Sequence, residues 1–226
     1  MSAGELAALQ RTVISCRRCP RLVAWREEVA HSKRAAYASE EYWGKPLPGF
    51  GDPEARVLIL GLAPAAHGGN RTGRIFTGDR SGDWLFAALW RAGFANQPQS
   101  VSRADGLRLQ DCFVTAAVRC APPANRPLPS ERDNCLPYFA AELQLLTGVR
   151  VIVCLGGFAW DAALRALNSL GISLPRPRPR FGHGEAVELG RYRLLGCYHP
   201  SQQNTFTGRL TEDMIDAVLT AARELR

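Results

Sequence analysis

The sequence predicts an α/β fold, a three-layer α/β/α sandwich around a central, mostly parallel four-stranded sheet. Three observations predict it. Four short runs, Arg56–Leu62, Cys112–Val118, Arg150–Leu155 and Arg193–Cys197, are rich in Val, Ile and Leu and barely interrupted by polar residues. Strands buried on both faces read this way, as in parallel sheets. Helical patterns separate the runs, the alternation of a doubly wound sheet. Each run also ends in a loop of unusual composition, and ligands of open α/β sheets bind beyond the carboxyl ends of the strands.

In chain order, Leu6, Leu9 and Val13 stand at helical spacing and predict a first helix over 4–14. It stops at Cys16-Arg17-Arg18-Cys19, a CxxC closed by Pro20. Arg21 to Ala30 reads as a second helix, followed by the basic pair Lys33-Arg34. From Tyr42 to Pro53, proline and glycine recur too often for regular structure. The first strand run then feeds Gly61–Asp79, a glycine-rich stretch far longer than the roughly two to six residues of an ordinary connector. Loops of that length usually carry function. Helices are expected over Asp83–Arg91, Ser130–Leu146 and Phe158–Leu170. A last amphipathic helix is expected over about Thr211–Leu225, with Thr211 as its N-cap. With 226 residues and no internal repeat, one domain over 1–226 is expected, its residues 1–52 forming an N-terminal helical segment.

A chain that is 46% hydrophobic and 22% charged is ordinary for a globular protein, which excludes disorder. The net charge of +7 favours a polyanionic partner, nucleic acid ahead of an anionic membrane. No apolar run is long enough to span a bilayer, and the N-terminus lacks a basic region followed by an apolar core. A cytoplasmic protein with reduced thiols is therefore expected, and the odd count of seven cysteines argues against a closed disulfide set. The sequon at Asn70 is then irrelevant.

Cys112, Cys154 and Cys197 lie inside the apolar runs and read as small buried hydrophobes. Cys16 and Cys19 have basic flanks, while Cys120 and Cys135 lie in loop or helix-start contexts. Four thiolates in two pairs suit a structural zinc or an iron–sulfur cluster, and spacing alone does not choose between them. Either would tie the N-terminal segment to the loop after the second strand.

The Gly61 loop has neither GK[ST] nor GxGxxG, so it is not a P-loop or a dinucleotide fingerprint. Its glycines let backbone amides approach a ligand. Phe76 offers a flat face for a nucleobase or else anchors the loop. Asp79 caps the helix starting near Ser81 or faces the ligand. Asn125, among stiffening prolines, presents an acceptor beside a donor, the complement of the N3–H and O4 edge of uracil; a turn asparagine is the competing reading. His199, at a strand end before Pro200, suits a hydrogen-bond donor aimed at the site or a structural role. His67 and His183 rank below it, and His31 carries no site signal. Pro175–Arg180 alternates proline with arginine, a stiff cationic segment suited to phosphates or simply a solvated loop.

Together the motifs resemble the iron–sulfur-containing uracil-DNA glycosylases, most closely family 5. The resemblance rests on CRRCPRL at Cys16, PGFGDPEARVLILGLAPAAHGGNRTGRIFTGD from Pro48 to Asp79, TAAVRCAPPANRP from Thr115 to Pro127, and HPSQQNTFTGRLT from His199 to Thr211. The family 4 enzymes look like GEAPG, whereas this chain has Ala63-Pro64-Ala65-Ala66-His67, with no polar side chain where other branches place their water activator. That departure makes Asp79 the leading candidate for the role.

The resemblance implies a monofunctional DNA glycosylase of the uracil-DNA glycosylase-like fold. It would flip and excise uracil, and by family likeness other deaminated bases such as hypoxanthine, leaving an abasic site in base-excision repair. Phe76 would stack on the base, Asn125 read its edge and His199 donate to O2, with Gly61, Ala63, Ala65 and Ala66 also lining the base site. Asp79 would orient water or stabilise the sugar cation. Cys16, Cys19, Cys120 and Cys135 would hold a [4Fe–4S] cluster. The partner would be double- or single-stranded DNA at the nucleoid and the enzyme a monomer, with no membrane involved. Lys33 and Lys45 lie upstream of the motifs, so no Schiff-base lysine is expected. Ser201–Gly208 would insert into the duplex, with Phe206 as wedge. Two rival readings are a non-catalytic, metal-stabilised nucleic-acid-binding module and a nucleotide-binding enzyme whose glycine loop holds phosphate.

Overall fold

The computed structural model describes residues 3–226, so Met1 and Ser2 of the expected domain lie outside the described residues. In chain order the elements are α1 (Ala3–Ile14), α2 (Pro20–Ser32), β1 (Phe50–Gly51), β2 (Val57–Gly61), α3 (Gly69–Thr72), α4 (Arg80–Arg91) and β3 (Cys112–Ala116). There follow α5 (Pro129–Leu145), β4 (Val151–Leu155), α6 (Gly157–Ser169), β5 (Ala186–Leu189), β6 (Tyr192–Cys197), α7 (Gln202–Phe206) and α8 (Glu212–Glu224).

The four expected strands form the parallel centre of the sheet, but the sheet has six strands, not four, in the order β1-β3-β2-β4-β6-β5. Val57 of β2 pairs with Cys112 on one side and Val151 on the other, and β4 continues into β6 through Val151 and Arg193. The added edge strands β1 and β5 are antiparallel. Each escapes a sequence reading for a local reason. β1 is two residues long within the proline- and glycine-rich stretch expected to be irregular. β5 is an edge strand whose first three residues are exposed or half-buried, so its hydrophobic pattern is thin.

The central strands are mostly apolar because helices cover both faces, with Thr115 of β3 and Arg193 of β6 as polar interruptions. Alternate residues point to opposite sides. Val57, Ile59, Val151 and Val153 join the core under α4 and α8. Leu58, Leu60, Ile152 and Cys154 join the core under α5 and α6. Fully burying such a side chain contributes about 1.5–3 kcal/mol, so these rows set the register and aim the strand ends the same way. The buried Cys112, Cys154 and Cys197 behave as the small hydrophobes expected.

Candidate active site

The loops beyond the carboxyl ends of β2, β3, β4 and β6 converge on one cavity of about 720 Å³. Phe76, Asp79, Asn125 and His199, drawn from three of these loops, all line it, and Ala63, Ala65 and Ala66 form part of its wall. The N-terminal turn of α6 contributes Gly157 and Phe158.

The Gly61–Asp79 stretch is a rigid wall. Arg74 is 5% exposed and grips Asp105 through two bonds of 2.9 and 2.6 Å, with further bonds to Thr77 and Ser100. Burial opposes the ionisation of Asp105, yet Arg74 and the N–H groups of Leu107, Val101 and Ser102 pull its pKa well down. Arg71 donates to the carbonyls of His67 and Gly78 and to Glu40, and lies 3.9 Å from the ring centre of Tyr37. Within the loop α3 adds one helical turn. Asn70 is wholly buried and donates to the Arg26 carbonyl, so the sequon cannot be reached in the folded protein.

Phe76 has φ +52°, a left-handed conformation that costs a bulky residue on the order of 1–3 kcal/mol and persists only where the surroundings impose it. A Cβ at Gly61 would meet the Phe76 ring at 2.6 Å, and one at Gly82 would meet its carbonyl oxygen at 1.9 Å. Gly61 was expected to line the base site; instead it lies beneath the Phe76 ring and supports it, because only a bare Cα lets the ring come so close. The ring is 7% exposed and belongs to the core, while one face looks into the cavity. Anchor and wall are thus one residue.

Asp79 is both cap and cavity group. Its Oδ1 accepts from the Gly82 N–H at 3.0 Å at the N-terminus of α4. The other oxygen, Oδ2, faces Gly68, where a Cβ would stand 2.0 Å away. Burial pushes the carboxyl up from its ordinary value, opposed by the Gly82 and Ser81 N–H groups and by Arg71, and reinforced by Asp83. His199 packs 5.9 Å from Phe76, ring centre to ring centre, and burial lowers its pKa to about 4. The imidazole is therefore neutral near pH 7 and keeps one N–H to donate. Asn204 fixes its backbone by donating to the His199 carbonyl at 2.8 Å.

Asn125 is exposed and, with Ala124, takes positive φ, of 54° and 52°. Two successive left-handed residues turn the proline-rich loop inward, and among the described residues the Asn125 amide has no side-chain hydrogen bond.

A model of the uracil DNA glycosylase superfamily matches residues 48–223. The chain is 58% identical over 225 residues to the type-5 uracil-DNA glycosylase of Mycobacterium bovis, covering 99% of this chain and 82% of that one. The chain belongs to the uracil-DNA glycosylase superfamily. The type-5 enzyme of Thermus thermophilus is 51% identical, with 96% of this chain and 97% of that one covered. The type-4 enzyme of Archaeoglobus fulgidus is 26% identical, over 87% and 82%.

In this superfamily member the cysteines of interest sit apart from the cavity. Cys16, Cys19, Cys120 and Cys135 line a second, small pocket with Arg26, Arg119 and Tyr138. None of the cysteines is in a disulfide. Cys19 stands at the N-cap position of α2 without a side-chain capping bond, and Pro20 opens the helix. Arg21 clamps Glu131 of α5 with bonds of 2.8 and 2.7 Å, which brings the CxxC against Cys135. Among the described residues no group of three or more His, Cys, Asp or Glu side chains is placed to hold a metal ion as it stands. The donor chemistry nonetheless fits an anionic thiolate-bound group. Arg26 is 2% exposed, donates to Cys120 Sγ at 2.9 Å and leaves its Nε without a partner. Its nearest carboxylate is Glu27, 3.8 Å away and half in solvent.

Several lining residues escaped the sequence reading. Arg34 and Tyr37 come from the N-terminal segment and Gln202 and Gln203 from α7, a helical turn within the expected insertion loop. Arg34 and Tyr37 are brought in by tertiary contacts that no local signal announces: Tyr42 shares a hydrogen bond of 3.0 Å with His67 Nδ1 and accepts from the Arg34 N–H. His67 does line the cavity, whereas His183 instead accepts from the Tyr198 N–H.

Proposed function

We propose that this chain is a monofunctional uracil-DNA glycosylase, excising uracil in DNA repair and leaving an abasic site. The observation that carries the reading is the convergence of Phe76, Asp79, Asn125 and His199 on one base-sized cavity in a chain of this superfamily. The relatives named type-5 uracil-DNA glycosylase, at 51–58% identity, support uracil as the base.

The target base leaves the stack at a cost of a few kcal/mol, least at a mismatch or in single-stranded DNA. Phe76 stacks on it, and the free Asn125 amide pairs with N3–H and O4. Cleavage of the N-glycosidic bond puts positive charge on the sugar and negative charge on the base. The neutral His199 donates to O2 as that charge grows; one such donor is worth roughly 2.7–4 kcal/mol in the comparable oxyanion case. The Asp79 carboxylate, fixed by its cap bond, orients water toward the sugar and stabilises its cation through Oδ2. Neither lysine lines the cavity, and Lys45 lies over the Trp43 ring, which fits hydrolysis without a Schiff base. The small wall residues Ala63, Ala65 and Ala66 leave room for other deaminated bases, hypoxanthine among them.

Pro175–Arg180 supplies cations for DNA. Arg178 pairs with Asp161 and the Pro179 carbonyl accepts from Trp160, which hold the segment beside α6, while Arg176 and Arg180 are exposed. Phe206, 66% exposed at the end of α7, is the candidate wedge. Cys16, Cys19, Cys120 and Cys135 are the residues that would hold a [4Fe–4S] cluster. Such a group supplies a covalent tie between the N-terminal segment and the loop after β3. The enzyme acts as a monomer in the cytoplasm, at the nucleoid.

Incubation with a uracil duplex and a matched thymine duplex tests the proposal: abasic sites are expected in the first only. Absence of uracil excision would remove it.

A further inference from the structure

Two cations of the cavity are held in no ion pair, although the Arg80 charge is near enough to Asp83 to favour that carboxylate. Arg34 and Arg80 both line it and both are exposed, which places their side chains at its rim. Neither enters an ion pair among the described residues. By contrast, Arg71, Arg74, Arg91, Arg119 and Arg132 are all neutralised by carboxylates.

The two sit on separate walls. Arg34 belongs to the His67 side: its backbone N–H donates to the Tyr42 hydroxyl that bonds His67, and its charge helps to lower the His67 pKa. Arg80 belongs to the α7 side, its guanidinium 4.3 Å from the ring centre of Phe206. Its backbone is fixed as the first residue of α4, directly after the Asp79 cap.

A nucleotide whose base occupies this cavity must carry its two phosphodiesters at the rim, one on each side of the sugar. We propose that Arg34 and Arg80 are two phosphodiester subsites, each taking one of the phosphates that flank the flipped nucleotide. An exposed guanidinium outside any ion pair presents its forked N–H donors to a phosphate with no such contact to break. Stacking on Phe206 limits the rotamers of Arg80 and so reduces the ordering cost of binding. The subsites rest on the proposed base-flipping function, because only a nucleotide drawn into the cavity puts both phosphates there.

The test is a cycle between protein and DNA. Wild type, Arg34→Ala and Arg80→Ala are titrated against a uracil duplex and against duplexes in which the phosphate 5′ or 3′ to the uracil is a neutral methylphosphonate. The slope of log affinity against log salt is measured, and uracil release is followed in parallel. Losing one phosphate contact reduces the slope by about 0.9. Each variant is expected to lose about that much on the natural duplex, and nothing further on the duplex whose own phosphate is already neutral, with one variant matching each position. Unchanged slopes, or losses that add at both positions, overturn the subsites. Absence of uracil release by wild type overturns the activity instead, and the slopes still decide the subsites.

Discussion

Gly68 is the residue whose smallest possible change reports most on the site. A Cβ there would stand 2.0 Å from Asp79 Oδ2, closer than any contact can be, while Asp79 Oδ1 is held by the α4 cap. Gly68→Ala must therefore move the carboxylate. The expected outcome is a loss of uracil release of well over tenfold with the helical and sheet content by circular dichroism unchanged. Retention of full rate would mean that Oδ2 does no chemistry. Asp79→Ala and Asn125→Ala are each expected to lower single-turnover excision well over tenfold with DNA affinity mostly kept. Asp79 also marks how far local pattern goes. A residue before Ser81-Gly82-Asp83 reads as a cap, and it is one; its second oxygen becomes meaningful only once Gly68, eleven positions earlier, is folded against it.

At the scale of elements, the Gly61–Asp79 loop acts as part of the scaffold because buried charge rivets it. Arg74 and Asp105 are 5% and 7% exposed, and breaking such a pair by removing one partner costs about 3–5 kcal/mol. Arg74→Ala is expected to lower the unfolding free energy by that order in denaturant titration. A change below about 1 kcal/mol would show that the wall does not depend on the pair. The central strands were legible because two helical layers make them apolar at nearly every residue. β5 was not, being half-exposed at the sheet edge, and neither was the Arg34–Tyr37 wall, which depends on the distant Tyr42–His67 bond. Gly61 was placed on the cavity by its motif and lies one layer deeper, because contact between a glycine and a ring fifteen residues on leaves no trace in local pattern. Loops thus declare that they are functional through composition, while their tertiary neighbours decide which residue faces the ligand.

For the whole molecule, burial sets a pH dependence. His199 is held at about 4, and His67 and His183 are also lowered by burial. A histidine whose pKa is lower folded than unfolded is protonated first in the unfolded chain. Its stabilising contribution is complete above about 6.5, the ordinary histidine value, and is lost as the pH falls toward the folded value. The raised pKa of Asp79 acts in the opposite direction over the acid range, since its folded form takes up protons earlier. The melting temperature is expected to fall between pH 6.5 and 4, and His199→Gln should make that fall shallower. An equally steep fall in the variant would show that His199 is not protonated on unfolding.

The central claim is that one cavity, walled by Phe76, Asp79, Asn125 and His199, removes uracil from DNA. Its most direct measurement is the release of free uracil from a duplex bearing a single uracil, followed at excess enzyme for wild type and Asp79→Asn, with a thymine duplex in parallel. Rapid uracil release by wild type, a rate lower by well over tenfold in the variant, and no thymine release are expected. No uracil release by wild type, or equal rates with Asp79→Asn, would contradict the account.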